Sequence, residues 1–486
     1  MQIGSIEQGF ETETQGDFFE AYRGHEVAYH NRMNPIEESA RTTEVVAETE
    51  VLVVGSGPGG LAAALAAARA GARTLLLERN GCFGGNITQV GVEGFAWYRH
   101  EGTVDSEGIG IEFEERAKAM GAANPEPQSV SYALDAEMFK YVADTLLREA
   151  GVQPMLHRLF VAPIVRDGTI RGVVTESKSG RAAILAERVI DATGDADVAM
   201  RAGAPVRKTP KEEMMAASVM FSMSGVNKRR FMEQVKADPQ SYKDWAGNGE
   251  WDIETSGKED DLFSPFLRKP FKQAVAAGVI PANLHTIAGT WGTVTEQGDL
   301  TYLNLVHLPH CDGTDADDLT SGEIEGRRQA VFAVEALRRF MPGCENAKLR
   351  NFGMTLGVRD TRKIDAHYNL TGRDVREQGR FADSIGIFPE FIDGYGVLIL
   401  PTTGRYFHLP YAALLPKGVG NLLVAGRCIG GDKISHAAVR NMMCCAVTGQ
   451  GAGVAAALSL KSGQSFERLD IGMVQRELKR QGARID

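Results

Sequence analysis

Residues 51–78, VLVVGSGPGGLAAALAAARAGARTLLLE, constrain the fold more than any other part of the chain. An apolar run of strand length at 51–54 leads into Gly-Ser-Gly-Pro-Gly-Gly, and an alanine-rich helix follows up to Gly71. A second run of strand length at 73–77 ends in an acid. Strand, glycine turn, helix and strand in this order are typical of a parallel βαβ unit. The sequence therefore predicts an α/β fold.

The glycine turn predicts a dinucleotide site. Gly55 permits the tight turn, Gly57 lets the backbone approach a pyrophosphate, and Gly60 lets the helix lie close to the strand. The phosphates would sit at the helix N-terminus, beside Pro58, where free N–H groups favour negative charge. Glu78 can accept hydrogen bonds from ribose hydroxyls and would repel a 2′-phosphate. The alternative is an ordinary glycine-rich turn between a strand and a helix.

Two further segments place small residues after apolar runs. Arg79 to Asn86, RNGCFGGN, follows the second strand, and the run at 188–191 leads into Ala-Thr-Gly-Asp at 192–195. Small residues at such points suit a backbone that meets a bulky ligand, although the first segment could equally be a surface turn. The predicted ligand contacts in these two segments are Arg79, Gly84, Gly85, Asn86, Ala192 and Gly194.

A C-terminal block completes a recognisable pattern, with YAALLP at 411–416, NLLVAGR at 421–427 and TGQGAG at 448–453. Together with the glycine turn, Glu78, Gly84-Gly85 and DATGD, it resembles the FAD-dependent oxidoreductases, fold relatives of glutathione reductase and of the fumarate reductase flavoproteins. The resemblance covers most of residues 48–205 and 350–460. It implies FAD as the cofactor, with Gly426 and Arg427 among its contacts, and a Rossmann-like FAD-binding domain of the glutathione reductase type.

The resemblance also implies a domain organisation. We expect an N-terminal extension at 1–46, the first part of the FAD-binding domain at 47–205, and its second part with a C-terminal helix at 349–486. Residues 206–348 would form an inserted α+β domain that caps the substrate site. Aromatic residues in the extension, from Phe10 to Tyr29, indicate either a flexible leader or a segment that docks on the body or on a second subunit.

Composition narrows the class of protein. A formal net charge of −10 over 486 residues disfavours nucleic acid as a partner, because phosphate binding rests on clustered lysine and arginine. Six cysteines without a CxxC pair indicate reduced thiols and a cytoplasmic protein. The acidic N-terminus does not resemble a secretory signal, and the apolar segments are interrupted by Gly, Arg or Asp, so we expect no membrane span.

The candidates for catalysis lie near the C-terminus. His436 and Arg440 are four residues apart at the predicted start of the C-terminal helix and would share one face. In the proteins that this chain resembles, that helix lies by the isoalloxazine ring. His436 would then accept a proton and Arg440 would bind a substrate carboxylate, a carbonyl or a flavin oxygen; alternatively, both hydrogen-bond the flavin or cap the helix. His408, with Tyr406, is a weaker candidate.

Two other groups of polar residues have open roles. Arg359 and Arg362 would contact flavin or substrate, or pair with Asp360 and Asp365. His307, His310 and Cys311 lie close together in LVHLPHCDGTD, but their spacing matches no known set of metal ligands. We therefore predict a structural or pocket role for them and no metal.

The chain has one dinucleotide fingerprint and no CxxxxC redox pair, so no NAD(P)H domain is visible. Electrons would pass to or from oxygen, a quinone or a protein carrier. The leading hypothesis is an enzyme that oxidises or desaturates a small organic substrate by hydride transfer to the flavin N5. The alternative is a non-redox hydratase or isomerase, while a nucleic-acid-modifying flavoprotein is disfavoured by the acidic charge. A homo-oligomer is left open.

Overall fold

The computed structural model describes residues 36–95, 105–126, 131–240, 252–254, 263–401 and 404–486. The chain divides into two units, Met1–Thr43 and Glu44–Asp486. Residues 36–43 of the first unit form no helix or strand. The second unit contains the helices and strands of the described residues, whose bounds follow. The aromatic residues of the extension lie outside the described residues. So does the sequence WYRH at 97–100, which is compatible either with a pocket wall or with an irregular surface insertion.

The strands of the described residues are, in chain order, β1 Glu44–Val54, β2 Thr74–Leu77, β3 Ala123–Pro125, β4 Tyr132–Leu134, β5 Gln153–Met155, β6 Leu159–Arg166, β7 Thr169–Glu176, β8 Ala182–Asp191, β9 Val206–Lys208, β10 Ala217–Ser224, β11 Asp252–Glu254, β12 Phe266–Leu267, β13 Gly289–Thr290, β14 Leu300–Leu308, β15 Lys348–Phe352, β16 Arg362–Ile364, β17 Ser384–Pro389, β18 Ile392–Gly394, β19 Val397–Ile399, β20 Tyr406–Pro410 and β21 Leu422–Val424. The α-helices are α1 Pro58–Arg69, α2 Ile109–Ala119, α3 Ala136–Ala150, α4 Asp197–Arg201, α5 Lys228–Ala237, α6 Lys269–Ala276, α7 Ala316–Phe340, α8 Gly372–Arg376, α9 Lys433–Val439, α10 Met442–Ser462 and α11 Ile471–Arg480.

A seven-stranded sheet carries the first hydrophobic core, in the order β5-β2-β1-β8-β7-β6, with β21 also paired to β8. Strands β5, β2, β1, β8 and β21 are parallel, whereas β7 and β6 continue the sheet as an antiparallel hairpin. Val54 pairs with both Leu77 and Asp191, and Val424 also pairs with Asp191. The carboxyl ends of four strands therefore meet at one edge, where α/β proteins of this type bind ligands. The predicted α/β fold with a parallel sheet is confirmed, and the glutathione reductase subtype stays a prediction.

Helix α10 packs against α1 through glycines. A Cβ on Gly449 would lie 2.0 Å from the Gly59 carbonyl oxygen, and one on Gly453 would lie 2.2 Å from that of Ala63. Such close approach requires glycine. Among the described residues α10 is the one helix long and apolar enough to span a membrane, and 89% of its apolar window is buried inside the protein, as in a core helix. The expectation that every apolar segment is interrupted early was wrong here, because residues 442–460 contain no charged side chain.

A second hydrophobic core gathers buried residues from Ala217 to Leu356. Its antiparallel sheet has the order β12-β13-β14-β10-β15, and α7 contributes Ala330, Ala333 and Leu337 to the core. Strand β15 crosses the domain boundary predicted after residue 348 and pairs with β10. We use the name second core for residues 217–356 throughout.

Local patterns in the sequence predicted several helices and strands correctly. The helix expected at 134–151 is α3, with the Asp135 side chain accepting a hydrogen bond from the Met138 N–H at 2.8 Å and Gly151 left-handed at φ 71°. The strands expected at 159–165 and 170–175 are β6 and β7. The helix expected at 323–341 begins earlier, at Ala316, because Asp315 caps it by accepting from two backbone N–H groups.

Candidate functional site

A cavity of about 1750 Å³ lies along the carboxyl edge of the parallel strands and extends to the sheet of the second core. The loops after β1, β2, β8 and β21 line one end. Tyr302, Asn304 and His307 of β14 line the other. Drug-sized ligands occupy roughly 300–1,000 Å³, so the volume accommodates a large cofactor and a second molecule.

The glycine turn at the end of β1 has the geometry of a phosphate cradle. Gly55 is left-handed at φ 96°, and a Cβ on it would lie 2.5 Å from the Ala192 carbonyl oxygen. A Cβ on Gly60 would lie 1.9 Å from the Gly55 carbonyl oxygen, so this glycine sets the approach of α1 to the strand. Gly57 lines the cavity, and nothing lies within 4 Å of the position of its Cβ. The open space faces the N-terminus of α1, where an anion is stabilised.

Glu78 holds this turn together. Its Oε2 accepts hydrogen bonds from the Ser56 N–H at 3.1 Å and the Ser56 hydroxyl at 2.6 Å. Its Oε1 accepts from the Asn80 N–H at 2.9 Å. The carboxylate is buried, yet it lines the cavity. A carboxylate can accept about four hydrogen bonds, so one position remains for a ribose hydroxyl.

Most of the predicted cofactor contacts line the cavity, namely Gly55, Gly57, Pro58, Glu78, Arg79, Gly85, Asn86, Ala192, Gly194, Gly426 and Arg427. Gly60 and Gly84 are not among the lining residues. A contact between Gly84 and the cofactor therefore stays a prediction. A Cβ on Gly84 would lie 2.5 Å from the Thr88 Cγ2, so this left-handed glycine serves packing within its own turn.

Arg427 ties three segments together beneath the cavity. Its Nε donates to the Gly194 carbonyl at 2.9 Å, its Nη1 donates to the Val358 carbonyl, and its Nη2 lies 2.5 Å from Asp195 Oδ1. Thr361 also donates to that Asp195 oxygen at 2.5 Å. These contacts fix the loop after β8 against the chain that returns from the second core.

The region of His436 differs from the sequence prediction. The single helix expected there is two helices, α9 and α10, separated at Arg440 and Asn441. His436 is 1% exposed and is not among the lining residues, so a direct role in proton transfer to substrate is not supported. Its Nε2 lies 3.0 Å from the Arg359 carbonyl oxygen, and burial lowers its pKa to about 3. The imidazole is therefore neutral at pH 7 and donates to that carbonyl.

His408 also lies away from the cavity wall. It is buried on β20, where its Nδ1 is 3.2 Å from the Phe381 backbone nitrogen. Burial lowers its pKa. Tyr406 stacks on it with ring centroids 6.3 Å apart. Its expected catalytic role has no geometric support, because strand pairing between β17 and β20 turns it toward the protein interior.

Arg440, in contrast, does line the cavity. Its Nη2 donates to the Asp393 carbonyl at 2.5 Å and to Asp393 Oδ2 at 3.0 Å. Arg359 lines the cavity as well and is partly buried; desolvation lowers its pKa to about 10. Its Nη1 donates to the Ala216 carbonyl at 2.6 Å, and its Nη2 donates to Asn304 Oδ1 at 3.1 Å.

The acidic partners expected for Arg359 and Arg362 were wrong. Arg359 contacts the second core, and Arg362 lies 2.5 Å from Asp197. Arg362 opens β16, which pairs with β9, whereas Arg359 precedes that strand.

Asp360 lies at the centre of a buried polar group behind the cavity wall. Lys363 Nζ is 2.5 Å from Asp360 Oδ1, the Tyr395 hydroxyl donates to Oδ2, and His436 Nε2 is 3.6 Å from Oδ1. Tyr395 lines the cavity and is left-handed at φ 53°. Burial and the neighbouring carboxylate raise its pKa, so the hydroxyl is protonated at neutral pH. Through Tyr395, this buried polar group connects the cavity wall to the ion pair of Asp360 and Lys363.

His307, His310 and Cys311, which were considered as metal ligands, lie in different surroundings. His307 lines the cavity with its Nδ1 3.2 Å from the Ser218 hydroxyl, and burial lowers its pKa to about 3. Cys311 belongs to the second core, with its Sγ 3.7 Å from the Asp318 carbonyl oxygen. His310 is exposed on a turn. Within the described ranges, no group of three or more His, Cys, Asp or Glu side chains is placed to hold a metal ion.

Among the residues of the cavity wall that sequence reasoning missed are Tyr302, Asn304, Asp393 and Tyr395. Tyr302 and Asn304 alternate with buried leucines in β14, so a period-two pattern of polar positions was available to identify them. Asp393 lies in the short strand β18 and Tyr395 in the turn between β18 and β19, where no local pattern distinguishes a wall residue from a surface residue.

Comparison with known proteins agrees with this site. The family model described as FAD dependent oxidoreductase matches residues 50–478. The thiamine thiazole synthase of Saccharolobus islandicus is 31% identical over 163 residues, which cover 31% of this chain and 57% of that protein. The digeranylgeranylglycerophospholipid reductase of Methanoculleus marisnigri is 31% identical over 178 residues, which cover 35% and 44%. The chain thus spans about half the length of these curated relatives.

Among solved structures, a geranylgeranyl bacteriochlorophyll reductase-like protein from Thermoplasma acidophilum has a TM-score of 0.44 at 15% identity, covering 89% of this chain and 83% of that one. We draw no conclusion on substrate from a similarity at this level. The family match extends over most of the chain and includes both halves of the cradle. The chain therefore belongs to the FAD-dependent oxidoreductase family. It is an enzyme, and its cofactor is FAD.

Proposed function

We propose that this protein oxidises or desaturates a small organic substrate held between the flavin and the second core. The observation that carries the proposal is that one cavity is lined both by the glycine cradle and by Tyr302, Asn304 and His307 of the second core. When bound, FAD supplies the hydride acceptor at its N5. The residues of the second core supply the opposite wall, as expected for a substrate cap formed by an inserted domain.

Substrate oxidation by hydride removal also releases a proton, and Tyr395 supplies a group at the cavity wall that can exchange one. Its hydroxyl donates to Asp360, which is itself paired with Lys363. In this scheme the Tyr395 hydroxyl takes the proton from the substrate while it gives its own proton to Asp360, so the released proton stays within the buried polar group. His436 is neutral and donates to a backbone carbonyl, so it positions this network rather than touching substrate.

The test is anaerobic mixing of the FAD-loaded protein with candidate substrates while the absorbance of the oxidised flavin is followed. A productive substrate bleaches the flavin band at a rate that matches turnover. Product formation without bleaching, unaffected by added electron acceptors, would instead support the non-redox hydratase or isomerase. Failure of every candidate to reduce the flavin would count against the proposal.

The electron acceptor and the location follow as secondary proposals. No second dinucleotide fingerprint occurs in the sequence, so we infer oxygen, a quinone or a protein carrier as acceptor, distinguished by the rate at which each reoxidises the reduced protein. All six cysteines are buried and unpaired, which supports a reducing compartment and a cytoplasmic location. Cell fractionation tests the location, and light scattering in solution tests whether the chain forms a homo-oligomer.

A further inference from the structure

The wall of the cavity carries a charge opposite to that of the chain. Nine cationic side chains and six carboxylates line it, although the chain as a whole has a formal net charge of −10. Cations concentrated in a cleft with low-dielectric walls attract anions. The FAD diphosphate accounts for this preference near the glycine cradle. The cations beside the second core remain to be explained.

Two of those cations lie next to one another. Arg359 and Arg440 both line the cavity, and the charge of Arg440 makes ionisation of Arg359 less favourable. His436, one turn before Arg440, lies with its Nε2 3.0 Å from the Arg359 carbonyl oxygen, so the two arginines come from adjoining segments. Asp393 is the carboxylate that pairs with Arg440, at 3.0 Å, and it also favours the charged form of Arg359. These two guanidinium groups and one carboxylate leave this part of the cavity wall with an excess of positive charge, which a bound anion would offset.

The hydrogen bonds of Arg440 lead to the same conclusion. Its Nη2 donates to the carbonyl and to the carboxylate of Asp393. Its Nε is buried and has no hydrogen-bond partner among the described residues. A buried donor without a partner is unfavourable, and a bound acceptor removes that cost. Guanidinium nitrogens form a planar fork that matches the two oxygens of a carboxylate.

The neighbours of this pair determine what kind of anion fits. Arg359 is fixed by the Ala216 carbonyl, the Ser218 hydroxyl at 2.5 Å and Asn304, so its position does not depend on a ligand. Ser218 and Asn304 belong to the second core, and Ala216 adjoins it. A bound anion would therefore lie beside the second core, where the proposed function places the substrate.

We propose that Arg359 and Arg440 bind a carboxylate of the substrate, so that the enzyme acts on a small organic acid. This proposal deepens the proposed function and rests on it for the reaction, although binding itself is measurable without turnover. Arg359 is the fixed half of the subsite, and Arg440 is the half with donors to spare. Asp393 competes with the substrate for Arg440 and limits its affinity.

The experiment titrates the oxidised, FAD-loaded protein with acetate, malonate, succinate and benzoate, and with the corresponding neutral amides, by calorimetry and by perturbation of the flavin spectrum. At least one acid is expected to bind at least about 10-fold more tightly than its amide, since hydrogen bonds to charged groups contribute most. Equal affinity of acids and amides, or no saturable binding by any acid, would overturn the proposal.

Variants with effects of opposite sign separate this role from a merely structural one. Arg440→Gln is expected to weaken binding of the acid about 10- to 100-fold, and Arg440→Lys less, because it keeps the charge but loses the fork. Asp393→Asn is expected to tighten binding several-fold by removing the competing charge. Arg268→Gln, which removes a cation elsewhere on the same wall, is the matched control and should change the affinity less than about twofold.

A final measurement distinguishes a substrate carboxylate from the flavin itself, whose reduced form is also an anion. The ionisation of the reduced flavin is followed by its absorbance against pH in the wild type and in Arg440→Gln. If this variant shifts that ionisation and leaves the affinity for acids unchanged, the anion at Arg440 is the flavin and the proposal fails. Loss of affinity for acids in a variant that still binds FAD stoichiometrically supports it. Because no turnover is involved, failure to reduce the flavin would affect only the proposed function.

Discussion

Glu93 links the two cores and makes the stability of this protein depend on pH. Its Oε2 accepts from the Thr301 hydroxyl at 2.5 Å, and its Oε1 from the Ala136 N–H at 3.2 Å. Its neighbour Gly94 lines the cavity, as does Tyr302 beside Thr301. Burial raises the pKa of Glu93 from 4.5 to about 7. The folded state therefore favours the protonated form of this carboxyl.

The sign and size of the effect follow from that shift. Between pH 4.5 and 7 the folded protein holds a proton on Glu93 that the unfolded chain releases, so the free energy of unfolding falls as pH rises through this window. At about 1.4 kcal/mol per pKa unit, the difference amounts to about 3 kcal/mol above pH 7. Glu93→Gln removes the ionisation, while loss of one hydrogen bond costs about 1 kcal/mol at every pH. The variant is expected to be slightly less stable than the wild type near pH 5 and about 2 kcal/mol more stable near pH 8.

The assay is urea unfolding of wild type and Glu93→Gln, both loaded with FAD, at several pH values from 5 to 8, followed by tryptophan fluorescence and circular dichroism. Glu137→Gln is the control, since that glutamate is exposed and the difference from wild type should stay constant with pH. A difference between wild type and Glu93→Gln that is flat across this range would refute the reasoning. A difference of the opposite sign would show that the carboxylate is charged in the folded state.

Further expectations concern the cradle and the proton path. Gly57→Val should leave the stability of the FAD-free protein unchanged, because nothing lies within 4 Å of its Cβ and its φ of −60° suits any residue, yet raise the Kd for FAD at least about 100-fold by filling the cradle. Gly55→Ala should instead destabilise the fold itself by about 2 kcal/mol or more, since φ is 96° and the Cβ would lie 2.5 Å from a carbonyl oxygen; equal melting temperatures of the two variants would contradict this distinction. Tyr395→Phe should slow flavin reduction about 100-fold and abolish its pH dependence while FAD stays bound, measured by stopped-flow absorbance; an unchanged rate would exclude the hydroxyl from proton transfer.

Much of the cofactor half was predictable because its signals are local. Gly55, Gly57 and Glu78 are placed by a strand, a turn and a helix that follow one another within 28 residues. Asp191 and Gly426 could be added because each directly follows an apolar run, and parallel strands bring such points to one edge. Caps such as Asp135 and Gly151 were read correctly for the same reason. In each case, the interaction that decides the structure lies within a few residues in the sequence.

The catalytic half was not predictable in the same way. His436 and Arg440 have helical spacing, but the chain breaks between α9 and α10, and packing buries the histidine behind the wall while the arginine lines the cavity. Spacing along a helix fixes which residues share a face. It does not fix which face meets a cavity, because that depends on the elements packed around the helix.

The sequence by itself therefore determined the α/β class, the glycine cradle and the family of this protein, through short-range patterns of glycines, apolar runs and acids. Only the tertiary structure decided which polar side chains line the cavity. Arg359, Asp393 and Arg440 lie 34 and 47 residues apart in sequence, yet all three line one cavity. Their interaction is a property of that proximity, since electrostatic interactions depend on distance and burial rather than on position in the chain.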